Sequence, residues 1–233
     1  MLDVLIFAPH PDDAELGLGG TIIKAVNEGI KIGIIDLTAG EMGTYGSKEL
    51  RLQEAENAKK VLGVEFRENL GLPDGYIGIE ITKEMIFSVA NKICQYKPKI
   101  VMVPNWIDRH PDHEASSIIV TKAIHYSKLE KIKLDYPKHK VDTVIYYELN
   151  NCFTQASFII DISDTFIQKK EAIMSFKSQF KEFTKENLPF PVPERCLFYG
   201  SLINAKYGEA FLIKNSINLN SISIFLKKSN ETK

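Results

Sequence analysis

The stretch that decides the fold is Val4-Leu5-Ile6-Phe7-Ala8-Pro9-His10-Pro11-Asp12-Asp13-Ala14-Glu15. It opens on an unbroken apolar run, Val4 to Ala8, of the kind found in strands covered on both faces. A polar His-Pro-Asp-Asp turn follows, and then an amphipathic segment over residues 15–28. A second apolar run at 31–37 completes a βαβ rhythm, which calls for parallel strands joined by a helix. The same alternation continues outward. A helix is predicted over 47–62, with Leu50, Ala55, Ala58 and Leu62 on its apolar side and Gly63 at the capping position beyond it. Another covers 82–96 and is broken by Lys97-Pro98. Ile100-Val101-Met102-Val103 then reads as a central parallel strand.

Later runs at 143–149 and 157–162 are further strands, and Asp164 is a plausible N-cap for a helix to 180. Residues 181–193, with three prolines, read as a loop before a helix over 195–207 and a short strand at 209–213. With no repeat and no linker composition, the economical reading is one three-layer, Rossmann-like α/β domain with a central, mainly parallel sheet. That domain spans 1–233, with its core at about 2–213 and a peripheral tail at 214–233.

Composition narrows the function. A chain of 233 residues with 44% hydrophobic content can bury a full core. Its 29 basic and 30 acidic residues leave a net charge of −1, which does not favour nucleic acid as a partner and points to a small substrate. Cys94, Cys152 and Cys196 are widely spaced and form no Cys-x-x-Cys pair, so neither a disulfide framework nor a thiolate zinc site is indicated, and reducing cytoplasm is the expected location. No apolar run approaches the roughly 20 residues of a membrane helix.

Three of the five histidines fall in two short segments, His10-Pro11-Asp12-Asp13 and His110-Pro111-Asp112-His113, each just after a strand. In parallel sheets ligands collect beyond the carboxyl ends of strands, so the two segments can share one site if their strands are neighbours. His10, Asp13 and His113 then form a three-ligand set suited to zinc with one position left for water; ferrous iron suits the same donors. Asp12 is left free as general base and later general acid. His110 can face the substrate, and Asp112 could hydrogen-bond an imidazole, favour its cationic form and so help stabilise an oxyanion. The plainer alternative is that each segment merely caps the helix after it. A closed structural metal is disfavoured because no cysteine lies near either segment.

At these residues the chain resembles the LmbE-like, or PIG-L, zinc deacetylases, whose signature is an apolar strand ending in His-Pro-Asp-Asp. Gly17-Leu18-Gly19-Gly20-Thr21, Asp36-Leu37-Thr38 with Gly40-Glu41, Asp108 to His113, Ser178-Gln179-Phe180 and Tyr199-Gly200 extend the likeness over residues 2 to about 213. They bring it nearest to the bacillithiol-pathway members, which deacetylate N-acetylglucosaminyl-malate. The resemblance implies zinc on His10, Asp13 and His113, Asp12 as base, His110 with Asp112 at the oxyanion, Arg51 as a substrate-binding cation, and a homo-oligomer. Tyr45 departs from the pattern, because it sits in a loop that is often basic in the family.

Outside the motif, Arg51 would stand in the first turn of its helix, where a cation gains nothing from the helix dipole. Arg109 could bind a carboxylate or simply pair with Asp108. Glu41, in a glycine-flanked loop after a strand, and Tyr199, with its phenol, are further candidates for substrate contact. Gly17-Leu18-Gly19-Gly20 invites a dinucleotide-binding reading, but the spacing is wrong and carboxylates occupy the phosphate turn. These glycines fit close helix packing better. An amidase or deacetylase of another amino-sugar conjugate, and a non-catalytic zinc- or sugar-binding protein, are the remaining readings.

Overall fold

The computed structural model describes residues 2–189 and 191–216. In chain order the elements are β1 (Val4–Ala8), α1 (Asp13–Asn27), β2 (Ile32–Thr38), α2 (Lys48–Leu62), β3 (Phe66–Leu72), α3 (Lys83–Tyr96) and β4 (Ile100–Pro104). They continue as α4 (Pro111–Ser127), β5 (Thr143–Tyr147), β6 (Phe158–Asp161), α5 (Phe166–Ile173), α6 (Val192–Leu202) and β7 (Gly208–Leu212). The strands form one sheet in the order β3-β2-β1-β4-β5-β7-β6. The first five strands pair in parallel, whereas β7 runs antiparallel to β5 and β6.

Alternation along the strands builds two cores. Leu5, Phe7, Ile35, Leu37, Val101 and Val103 point to one face and meet α3 and α4. Val4, Ile6, Ala8, Ile32, Ile34 and Met102 point to the other and meet α1. Every residue of β1 and β2 is buried, as a doubly covered strand requires. The chain runs outward from β1 through β2 to β3, then crosses back to lay β4 on the other side of β1. That reversal opens a crevice beyond the carboxyl ends of β1 and β4, the place where such sheets bind ligands. The Ile6↔Met102 pairing therefore brings the segments after both strands together.

Helix α1 breaks at Leu18, whose φ of −145° is not helical. A Cβ at Gly17 would stand 2.6 Å from the Tyr147 ring, and one at Gly20 would stand 2.8 Å from Ile162. These glycines thus let α1 lie close on the sheet and on the chain before α5. The amides of Gly20 and Thr21 donate to the buried Glu209 carboxylate at 3.1 and 2.7 Å, and Lys169 neutralises that carboxylate.

Several expectations change. Strand β3 was not predicted, because Arg67, Glu68 and Asn69 interrupt its apolar pattern. Arg67 is nevertheless buried, paired with Glu15 and with Asp36 at 2.7 Å; burial opposes its charge, but the two carboxylates outweigh that and push its pKa further up. The helix expected to reach 180 ends at Ile173. Asp164 pairs with Lys24 at 3.3 Å instead of capping it, and Ser178 is captured by Glu54. Helix α6 begins at Val192 rather than 195, since Pro193 is tolerated in a first turn, and it stops at Leu202 before Asn204 turns left-handed at φ 58°. Residues 217–233 of the expected tail lie outside the described residues. No helix among the described residues is long and apolar enough to cross a membrane.

Candidate active site

Beyond the strand ends lies a cleft of about 260 Å³ whose lining includes His10, Asp12, Arg51, Asp74, His110 and Gln179. A larger depression of about 670 Å³ lies between Glu130 and Lys138, but Glu130 is the one carboxylate in its lining and it holds no histidine.

The two histidine segments meet as the strand order demands. Nδ1 of His10 and Nε2 of His113 lie 3.1 and 3.4 Å from the same oxygen of Asp13, Oδ2. The far nitrogens are held from behind: His10 Nε2 is 3.0 Å from Asp74, and His113 Nδ1 is 3.2 Å from Asp108. Asn150 donates to Asp108 at 2.8 Å and completes that support.

This arrangement fits a metal on three counts. Donors about 2.0–2.2 Å from a tetrahedral ion stand roughly 3.3 Å apart. Ligating imidazoles commonly give their other N–H to a carboxylate. Asp12, Asp13, Asp74, Asp108 and Asp112 also crowd one region in which Arg51 pairs with a single one of these carboxylates, Asp12, and buried charge of this kind calls for a compensating cation. A second trio, His10, His110 and Asp112, also comes within ligating distance. It fits less well, because Asp112 already accepts the amides of Gly75 and Gly78 at 2.8 and 3.0 Å, and His110 Nδ1 accepts the Asp112 amide at 3.2 Å.

The charges follow from these contacts. Burial favours neutrality for Asp74, but the hydrogen bonds from His10 and the Met42 amide bring its pKa down to about 2. Burial likewise opposes ionisation of Asp13, yet His113 and His10 lower it. Asp12 goes the other way: desolvation raises its pKa despite the opposing pull of Arg51. His110 is lowered by desolvation and by the neighbouring His113 and His10.

Other candidates are placed less as expected. Arg51 is buried, and it donates to Gly40 O at 2.8 Å, Pro11 O at 2.6 Å and Asp12 at 3.1 Å. The carboxylate it meets is therefore that of Asp12. Asp112 does meet an imidazole, but it is that of His10 at 3.4 Å; its contact with His110 runs through its backbone amide and not its carboxylate. Arg109 is exposed and reaches Asn150 at 3.4 Å, not Asp108. Glu41 is exposed and accepts the Asp74 amide at 3.2 Å. Tyr199 is 2% exposed with its hydroxyl on Glu148, so it is a packing residue and not a substrate contact. Asp74 and Gln179 were missed as site residues. The Pro73-Asp74-Gly75 turn was the available signal for Asp74, and it gained meaning only once β3 was known to end beside it.

A cleft of this kind at the reversal point of a parallel sheet defines an α/β enzyme with a candidate His–Asp metal centre. Residues 5–124 match the family model described as PIG-L: GlcNAc-PI de-N-acetylase. The chain belongs to that family, and with it to the hydrolases. Diacetylchitobiose deacetylase of Thermococcus kodakarensis is 29% identical over 221 residues, covering 88% of this chain and 80% of that protein. A probable N-acetyl-alpha-D-glucosaminyl L-malate deacetylase 2 of Bacillus subtilis is 27% identical over 195 residues, covering 78% and 86%. The crystal structure of the conserved protein TT1542 from Thermus thermophilus superposes with a TM-score of 0.86 at 36% identity, covering 94% of this chain and 97% of that one.

Proposed function

We propose that the protein hydrolyses the N-acetyl amide of an N-acetylglucosamine conjugate, with zinc held by His10, Asp13 and His113. The observation that carries this reading is the pair of imidazole nitrogens at 3.1 and 3.4 Å from one Asp13 oxygen, with an uncoordinated Asp12 on the adjoining wall. When bound, the ion supplies Lewis-acid polarisation of the acyl carbonyl and eases ionisation of water.

The chain's own groups do the rest. Arg51 holds Oδ2 of Asp12, while Oδ1 accepts no hydrogen bond among the described residues. A carboxylate with a raised pKa and a free oxygen is suited to take a proton from the attacking water and return it to the departing amine. The products are acetate and the free amino sugar. His110 accepts the Asp112 amide through Nδ1, so its proton sits on Nε2. It serves the tetrahedral oxyanion as a neutral N–H donor rather than as a cation.

Two aglycones have support. The malate conjugate expected from the sequence is the substrate class in the name of the Bacillus subtilis relative, but Arg51 is engaged with Asp12 and does not stand free to read a carboxylate. A second sugar is the class in the name of the Thermococcus kodakarensis relative, whose match covers more of the chain. The test is to strip the protein, reload it with zinc and follow release of primary amine and acetate from both substrates and from free N-acetylglucosamine. Amine release from one or more of them is expected. Release from none would end the deacetylase reading.

Asp74 offers a finer check on the centre. Its carboxylate holds the far nitrogen of His10, and partners of that kind typically contribute about 10–100-fold in metal affinity. Asp74→Asn is therefore expected to weaken zinc binding by about that factor in a competition titration with a chelator. Unchanged affinity would detach Asp74 from the metal centre.

A further inference from the structure

Adjoining the histidine cleft at Gln179 is a second cleft of about 220 Å³, lined by Tyr45, Gln179, Lys181, Glu182 and Phe183. The two clefts share Gln179 as a common wall. Each is smaller than the about 300–1,000 Å³ of sites for drug-sized ligands, while the two together fall within that range. A substrate of two ring-sized units divided at Gln179 fits this layout.

The wall is built to stay in place. Ser178 gives its amide and its hydroxyl to the two oxygens of Glu54, each at 2.7 Å. Glu54 is buried on α2, one turn beyond Arg51, so the wall and the residue that holds Asp12 are tied to the same helix. Gln179 spends its amide N–H groups on Tyr45 O at 2.6 Å and Ser178 Oγ at 3.0 Å. Its carbonyl oxygen accepts no hydrogen bond among the described residues and is left as an acceptor for a ligand hydroxyl or N–H.

The remaining lining states the chemistry. Tyr45 is 51% exposed, with the Lys181 ammonium 4.4 Å from its ring centre. Phe183 is braced edge-on by Phe180 at 6.3 Å, and its backbone N–H donates to Phe180 O at 3.1 Å. Two aromatic surfaces suit the C–H faces of a pyranose, and Gln179, Lys181 and Glu182 suit its hydroxyls. The charges of Lys181 and Glu182 cancel, so the cleft has no net attraction for a dianion.

We infer that this second cleft is the aglycone subsite and takes an uncharged hydroxylated ring, a second hexopyranose unit, on the Tyr45 platform. The inference rests on the proposed amide hydrolysis for its direction, with the acetylated sugar on the histidine side of Gln179.

The test compares kcat/KM of zinc-loaded wild-type protein and the Tyr45→Ala and Lys181→Ala variants on N-acetylglucosamine, N,N′-diacetylchitobiose and N-acetylglucosaminyl-malate. Calorimetric titration of metal-free protein with N,N′-diacetylchitobiose is run alongside. The wild type is expected to prefer the disaccharide to the monosaccharide, and Tyr45→Ala to shrink that ratio about tenfold, the scale of one lost aromatic contact. Disaccharide affinity by calorimetry should weaken by a similar factor. An unchanged ratio and unchanged affinity in Tyr45→Ala would overturn the subsite. So would a wild-type preference for the malate conjugate that disappears in Lys181→Ala, which would assign the cleft to an anion. If no substrate is hydrolysed but calorimetry shows Tyr45-dependent disaccharide binding, the subsite stands and the hydrolysis reading falls.

Discussion

Replacing His113 by alanine is expected to leave a folded protein that no longer keeps zinc through dialysis and whose amine release falls to background. The side chain is buried at the start of α4, and its Nε2 lies 3.4 Å from the Asp13 oxygen that His10 also faces. Its removal takes away one of three candidate donors, a larger loss than the about 10–100-fold in affinity that follows from removing an outer partner. The fold should survive. Asp108 keeps the His110 amide at 2.9 Å and the Asn150 amide at 2.9 Å after the imidazole is gone. Metal analysis of stripped and reloaded protein, beside a thermal melt, reads both outcomes. Stoichiometric zinc in a well-folded His113→Ala protein would show that the donor set is wrong.

Asp12→Asn separates the chemistry from the metal. Asparagine retains a side-chain oxygen that can accept from Arg51 but can no longer take up a proton. Zinc content is expected to match the wild type while kcat drops by at least roughly 10²-fold, the scale of a lost general acid and base. A drop in kcat with KM little changed would indicate an interaction of the transition state rather than of binding. Near-normal turnover would remove Asp12 from the proton path.

The grouping of the candidate site residues was legible in the sequence where it is local. His10, Asp12 and Asp13 lie in the turn after β1, and His110 and His113 stand three apart at the start of α4, beyond the loop that follows β4, so strand periodicity and donor chemistry were enough to pair them. The glycines of α1 were legible too, because the dinucleotide spacing failed and close packing remained. What escaped came from elements whose pattern is not apolar. Asp74 follows β3, a strand concealed by the buried Arg67, and Gln179 lies past the early end of α5, in chain shaped by a side-chain contact with Glu54. Tyr199 shows the converse failure: a phenol has the same chemistry on the page whether it faces a cleft or the Glu148 carboxylate. Arg51 was singled out as a substrate-binding cation, whereas its side-chain partner is a residue 39 positions away that no helical spacing could reveal.

Asp12 has a backbone φ of 116°, a region that side chains other than glycine enter at a cost of order 1–3 kcal/mol. The residue thus trades conformational ease for the position of its carboxylate, and this position in the chain is one where durability and turnover are in opposition. The consequence can be isolated by comparing two variants that both lack the carboxylate, so that the loss of the Arg51 contact cancels. Asp12→Gly should melt above Asp12→Ala, with a stability difference of about 1 kcal/mol, although both are inactive. A selection for heat resistance alone would then be expected to favour glycine here, and to yield a sturdier protein with no catalytic function.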